Sequence, residues 1–414
     1  MSRVSREQKL QTIIETEKML GSIQDVDVLL ERLLTEARAI VHADAGSIYV
    51  VDGKNIKIRY AQNDTQLRKM QQGDKLPYVS FSFPITEKSV VGACVLSGNA
   101  INIQDCYNLP PEATYAFNKM TDVTTGYRTK SMLTVPLKMA NGRILGVLQI
   151  INAQDENGAV ISFDADAELY ITHFASNATQ ALEHAYLTSN MIKRMQRMAA
   201  YRDPKETYPH VERVASFSVE IYDRWAATHH IPAAVQQKFR DNLRIAAKCH
   251  DFGKVGVSDV ILKKVSPRFT PEERSVMKGH TCIGAMLFTE PETELDIMAR
   301  DVCLRHHEWW DGSDAGYPGN IDFNKYVIGE PLPPASPLQG TEIPLSARIV
   351  ALADVFDALS HKRVYKEAWS TEDAFMEIQG LSGTQFDPEI VMAFMQIKDR
   401  ICAINAAWEN VAED

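Results

Sequence analysis

Cysteine is scarce and scattered in this chain: six among 414 residues, at Cys94, Cys106, Cys249, Cys282, Cys303 and Cys402, with no CxxC pair. That spacing excludes a disulfide-stapled secreted scaffold and fits a reducing cytoplasm. Long apolar runs are missing as well. No stretch approaches eighteen uninterrupted apolar residues, and the N-terminal MSRVSREQKLQTIIETEKML is charged throughout, so the expectation is a soluble, cytoplasmic protein with no membrane anchor. Positive charge is short too: 44 Lys and Arg face 54 Asp and Glu, a net charge of −10. A nucleic-acid polymer would need a basic field on one face, so it is not an expected partner. Any phosphate site must be locally basic. Internal repeats and low-complexity segments are absent.

The length exceeds what one hydrophobic core usually supports, which predicts two domains plus connecting helices. From about Ser5 to His42 the apolar positions Leu10, Ile13, Ile14, Leu20, Leu29, Leu30, Leu33, Leu34, Ala37 and Ile40 recur at helical spacing, with Gly21 as a break between two helices. SIYVVDG, IKIRYA, AINIQD, SMLTVPLKMANG and ILGVLQIINA follow as short β-rich segments, so an α+β domain is expected to end near Asn152. The run from Asp164 to Ala200 then reads as one helix, with Ile171, Phe174, Ala178, Ala181, Ala185, Thr188, Ile192, Met195 and Ala199 three and four apart. Such a heptad seam suits packing against its own domain or homodimerisation. Beyond Tyr201 the pattern is nearly all helical, apart from loops around Ser258 to Pro271 and a Pro/Gly-rich stretch from Asp311 to Pro344.

Of eleven histidines, six (His42, His173, His184, His229, His230 and His361) have no evident partner in sequence. The other five, His210, His250, His280, His306 and His307, fall in the C-terminal half near acidic or phosphate-suited residues. Imidazole and carboxylate together are the usual donors of a metal centre. His250 and Asp251 cannot lie along one helical line, so they belong at a bend near a helix terminus, which Gly253 and Gly256 are expected to permit. The pair then binds neighbouring metals, or Asp251 bridges two. Lys254 remains to neutralise a phosphate oxygen as charge builds.

Several separated motifs, KETYPHVERV at 205–214, CHDFGKVGVSDVILKK at 249–264, GHTCIGAMLF at 279–288, RHHEWWDGSDAGYPG at 305–319, IPLSARIVALADVFDALSHKRVYK at 343–366 and GTQFDPEIV at 383–391, follow the order seen in one family. By them the region from about Ala200 to Ala403 resembles the HD-GYP metal-dependent phosphodiesterases, a branch of the all-helical HD superfamily. The resemblance implies metal ligands at Glu206, His210, His250, Asp251, His280, His306, His307 and Asp354, with Asp251 bridging. Glu206 implies a trinuclear rather than a binuclear site, holding iron or manganese in preference to zinc. It also implies substrate contacts from Lys254, Gly316, Tyr317, Pro318, Arg363 and Lys366. In such a centre Asp251 and Lys254 serve catalysis, and an activated water attacks phosphorus without a serine or cysteine nucleophile.

The implied reaction is hydrolysis of cyclic di-GMP to pGpG, with a second cleavage to GMP left open. Two other readings stay open: a phosphodiesterase for another cyclic dinucleotide such as 3',3'-cyclic GMP-AMP, and a catalytically silent cyclic-dinucleotide receptor or interaction module. Three departures from the family pattern lie near the pocket. Tyr208 stands for the glycine of ETGPH, two extra residues widen WDGSDAGYP, and the 319–342 connector is longer than usual.

ADAGSIYVVDG, ITEKSVVGACVLSGNAINIQD, SMLTVPLKMANGRILGVLQIINA and FDADAELYITHFASNATQAL together resemble a GAF domain. The resemblance speaks for the fold and leaves a small-molecule ligand open; Asn152, Phe163 and Asp166 match the NKFDE pattern of nucleotide-binding members only loosely. Cys94 and Cys106 read as buried apolar side chains. The expected architecture is therefore multi-domain: an N-terminal helix at 1–24, an α+β GAF domain at 25–163, a linker helix and dimer seam at 164–200, and an all-α HD-superfamily phosphodiesterase domain at 201–414. A rotation of the linker would connect the GAF domain to Glu206 and His210.

Overall fold

The N-terminal periodicity corresponds to two helices, α1 (Arg6–Gly21) and α2 (Val26–Ile40). The computed structural model describes residues 6–69, 81–203, 207–264, 269–361 and 369–409. Its contacts divide into two units, Met1–Ser189 and Asn190–Asp414. Asp25 caps α2 by accepting from the Asp27 and Val28 N–H groups, a contribution of about 1 kcal/mol. Leu29, Leu30, Leu33, Leu34 and Ala37 then form one buried face.

Among the described residues, seven strands make the sheet of the first unit: β1 (Ala43–Asp52), β2 (Asn55–Asn63), β3 (Ser82–Pro84), β4 (Ile101–Ile103), β5 (Met132–Lys138), β6 (Ile144–Gln154) and β7 (Val160–Ile161). Their order is β3-β2-β1-β6-β5-β4, with β7 beside β6. The short helices α3 (Asp64–Leu67), α4 (Val90–Ser97) and α5 (Lys119–Thr125) lie between strands in sequence. Period-two alternation divides β1 between two clusters: Ile48 and Val50 join the core that includes α2, while Tyr49 and Val51 meet Val91 and Cys94 of α4. Cys94 and Cys106 are fully buried, and burial pushes both thiols up to about 12.

The long helix is α6 (Ala165–Arg202). Ile171, Phe174, Ala178 and Ala185 of the expected seam are consumed by the first unit's own core, joined by Tyr170, Ala175 and Leu182. Further along, Ile192 packs on Cys249, Phe252 and Cys303 within the second unit. Beyond Ala185 the large apolar side chains left exposed are Leu187, Met191, Met195, Met198 and Tyr201, a stripe mostly displaced from the predicted one.

The second unit is helical: α7 (Tyr208–Thr228), α8 (Ala233–Ala247), α9 (Asp259–Leu262), α10 (Pro271–Lys278), α11 (His280–Met286), α12 (Glu294–Arg305), α13 (Leu345–Ser360), α14 (Thr371–Gly380), α15 (Pro388–Met395) and α16 (Lys398–Glu409). Phe356 of α13 is their hub, with ring centroids 5.6 Å from Phe217, 4.9 Å from Phe375 and 5.0 Å from Phe394. These contacts lock α7, α13, α14 and α15 into one core. The Pro/Gly-rich stretch contains only the 3-10 turns Phe323–Lys325 and Gly340–Glu342 among its described residues. No helix of the described residues is long and apolar enough to cross a membrane.

Candidate metal centre

Helix ends deliver the histidines. His210 stands in the first turn of α7, whose cap Thr207 accepts the His210 N–H. His250 and Asp251 follow the end of α8 and precede the 3-10 turn Phe252–Gly256. His280 begins α11, His306 and His307 follow α12, and Asp354 projects from α13. Two groups of potential ligand atoms result: Asp251, His280, His306 and His307, and then His210, His250 and Asp354, with all atoms of each group within 4.8 Å of one another. Seven of the eight expected ligands thus come together. Glu206, the eighth, lies outside the described residues, as do Arg363 and Lys366.

The outward nitrogen of each buried imidazole is already committed. Nδ1 of His250 lies 2.8 Å from Ala247 O, that of His280 2.7 Å from Met277 O, and that of His306 2.9 Å from Val302 O. Carbonyls only accept, so the proton sits on Nδ1 and the Nε2 lone pair faces inward. Asp251 stands between the groups. Its Oδ1 is 3.2 Å from His280 Nε2 and 3.8 Å from His306 Nε2, while its Oδ2 is 3.3 Å from His250 Nε2. Asp251 Oδ1, His280 Nε2 and His306 Nε2 are buried without a hydrogen bond. Orphaned buried polar atoms cost about 1–3 kcal/mol each. Convergent lone pairs of this kind fit a cation, and the all-nitrogen-and-oxygen donor set fits a divalent transition metal.

Electrostatics point the same way. Burial, reinforced by neighbouring His250 and His280, lowers His306 to about 4, and burial with His306 and His280 holds His307 well below its usual range. Both imidazoles are neutral donors at physiological pH. Burial alone would raise Asp251, but Lys254 and His250 outweigh it and keep the carboxyl well below the usual carboxylate range. Lys254 Nζ lies 2.7 Å from Asp251 Oδ2, close enough to meet an anion bound at the centre.

Gly253 and Gly256 act differently from the expected bend. Neither has a positive φ; instead, a Cβ on Gly253 would lie 1.8 Å from His280 O and 2.4 Å from Gly284 N, and one on Gly256 would lie 2.8 Å from Ile283 Cγ2. Their missing side chains let α11 abut the turn that carries Asp251. Gly316 is similar, since its Cβ would lie 2.5 Å from Trp309 N. Next to it, Tyr317 N–H donates to His307 O at 3.1 Å and its ring stacks on His307 at 4.6 Å. Lys278 Nζ sits 4.6 Å from the same ring centroid, and the following Pro318 is buried.

Three supporting residues were not singled out from sequence. Glu308 Oε1 accepts from Gly319 N at 2.8 Å and Arg305 Nη1 at 3.0 Å, tying the loop to α12. Asp357 and Arg213 lie behind His210, one helical turn beyond Asp354 and His210 respectively. That i, i+3 spacing was the available signal. His361, which had no evident partner, has Nδ1 3.3 Å from Asp357 Oδ1, and His229 stacks on Trp225 at 4.0 Å.

Comparison with known proteins agrees with this division. Residues 25–182 match the GAF domain family, residues 207–359 the HD domain family, and residues 333–390 a second HD domain model. A Thermotoga maritima protein named cyclic di-GMP phosphodiesterase is 36% identical over 204 residues, 49% of this chain and 48% of that one. A Vibrio cholerae protein of the same name is 34% identical over 246 residues, 56% and 46% of the two chains. Another from Vibrio cholerae, named 3'3'-cGAMP-specific phosphodiesterase 2, is 34% identical over 203 residues, 49% and 34%. The chain spans about half the length, or less, of these curated relatives.

Proposed function

From a chain that carries a GAF domain followed by an HD domain, we propose a metal-dependent phosphodiesterase that hydrolyses cyclic di-GMP to pGpG, with GMP as the open second product, under control of its GAF domain. One observation carries the reading: two groups of metal-suited side chains flank Asp251, with Lys254 beside it. The names of the two relatives that are cyclic di-GMP phosphodiesterases support the substrate.

His210, His250 and Asp354 would hold one ion, His280, His306 and His307 another, and Asp251 both. Glu206 would add a third, and iron or manganese suits the donors. Bound there, the ions lower the pKa of water and offset charge on the phosphate oxygens. The chain's own groups do the rest. Lys254 offsets phosphate charge, with Arg363 and Lys366 as further cations. Gly316, Tyr317 and Pro318 shape the wall against which the substrate lies, and the neutral imidazoles keep their lone pairs at physiological pH.

Control by the GAF domain is supported by the end of α6. Arg202 donates to Val255 O, and to Val257 O and Asp259 Oδ1 at 3.0 and 2.8 Å, and Asp203 Oδ2 lies 3.9 Å from Lys254 Nζ. The last turn of the linker helix therefore grips the segment that follows Asp251. Homodimerisation belongs to the same proposal, supported by the exposed apolar stripe from Leu187 to Tyr201, and so does a small-molecule GAF ligand.

The test is anaerobic purification with metal analysis, then chromatography of products from cyclic di-GMP, for the wild type, Asp251→Ala and Glu206→Ala. Two or three ions per chain with product formation lost in Asp251→Ala is the expected result, and Glu206→Ala should hold one ion fewer. Metal with turnover only of 3',3'-cyclic GMP-AMP would replace the substrate. Reduced, metal-supplemented protein with neither metal nor turnover would leave a silent receptor.

A further inference from the structure

We infer that Asp357, braced by Arg213, is a positioning residue that sets the ring orientation and tautomer of His210 and thereby the affinity of one metal group only. The inference rests on the metal-centre reading above. Three of the buried histidines take a carbonyl from their own helix or turn, three or four residues back. His210 stands in the first turn of α7, where no preceding helical turn supplies one. Its Nδ1 is instead 2.7 Å from Asp357 Oδ2, across 147 residues of sequence. Arg213 completes the arrangement, donating through Nε at 2.5 Å and Nη2 at 3.0 Å to the two oxygens of the same carboxylate. Asp357 is 2% exposed, so its charge is retained inside the protein by these partners.

Asp354 and Asp357 lie one turn apart on α13 and address opposite edges of one imidazole: Asp354 Oδ1 is 3.7 Å from His210 Nε2, and Asp357 holds Nδ1. A carboxylate can only accept, so it keeps the proton on Nδ1 and the lone pair on Nε2. An amide at 357 can turn its NH2 towards Nδ1, which moves the proton to Nε2 and removes the lone pair. Carboxylates behind a metal-binding histidine typically change affinity by about 10- to 100-fold. His280, His306 and His307 share no contact with Asp357 that would transmit this change.

The test titrates manganese into full-length metal-free protein against a chromophoric chelator, for the wild type, Asp357→Asn, Arg213→Lys, His210→Ala and the double variant His210→Ala/Asp357→Asn. In Asp357→Asn one class of site should weaken by about 10- to 100-fold while another stays within about twofold, with turnover restored by excess manganese. Arg213→Lys should shift the same class less, and it carries the test if Asp357→Asn does not fold. In the His210→Ala background Asp357→Asn should have no further effect on metal, which a general structural role would not predict. Unchanged affinities in Asp357→Asn and Arg213→Lys, or an equal fall in all classes, would overturn the inference while leaving the metal centre standing. A wild type that binds no manganese would overturn both.

Discussion

Asn152 in the sheet-bearing unit and His306 in the helical unit are each 2% exposed, yet they satisfy their polar atoms in opposite ways. Asn152 Oδ1 accepts from the N–H groups of Lys130 at 2.7 Å and Ser131 at 3.2 Å, and its Nδ2 donates to Tyr127 Oη at 2.9 Å and Arg128 O at 2.8 Å. The side chain completes itself within the fold. His306 commits Nδ1 to backbone carbonyls and leaves Nε2 buried without a hydrogen bond, facing Asp251. Unsatisfied atoms also occur singly in the first unit, at Asp44 Oδ1 and Asn102 Oδ1. Convergence is what separates the two regions: scattered orphans cost stability, whereas several aimed at one point mark a place that something else must fill.

The largest expected effect comes from His306→Leu. Turnover should fall by roughly 10²- to 10³-fold, the scale of losing one preorganised stabiliser of transition-state charge, and product chromatography reads it. Metal-free protein should melt within about 1 kcal/mol of the wild type, because an apolar side chain replaces an orphaned buried nitrogen. Calorimetry of the chelated protein checks the second half. A large loss of stability without metal would mean that His306 is structural, like Asn152.

Asn152→Ala should do the reverse. It removes four hydrogen bonds, strands the buried Ser131 N–H and the part-buried Lys130 N–H, and puts alanine at φ 57°, for a loss of about 2–4 kcal/mol. Denaturation of the full chain should show the loss while manganese affinity stays within about twofold of the wild type, since no ligand atom is touched. A fall in manganese affinity would break the separation of the two units.

The same contrast explains what was legible in sequence. The seven clustered ligands were readable because their chemistry is carried by residue type and motif order, and the long strands and helices because their periodicities repeat. Strands β3 and β7 were missed: three and two residues long, they are too short for alternation to register. The roles of Gly253 and Gly256 were misread because close approach depends on how α11 packs on their turn, a tertiary contact that local sequence does not display. Asp357 and Arg213 needed the partner helix to give them meaning. The heptad along α6 was real, but a periodic stripe does not say what covers it, and the core of the first unit takes its first half.

The smallest effect is expected at Tyr317. Burial, reinforced by the nearby Asp251 charge, pushes its phenol far above the usual range, so it is neutral at any working pH and Tyr317→Phe changes no charge. The phenylalanine ring keeps the stack on His307, at 4.6 Å and 28° between planes, and the face towards Lys278. Aromatic contacts of this kind contribute about 0.5–1.5 kcal/mol beyond area, so Tyr317→Ala should lower kcat/KM by roughly two- to tenfold and Tyr317→Phe by less than about twofold. Equal losses in the two variants would assign the effect to the hydroxyl and to direct contact with substrate. A loss in the alanine variant alone, accompanied by weaker manganese binding, would assign it to the ring as a support that holds His307 towards the centre.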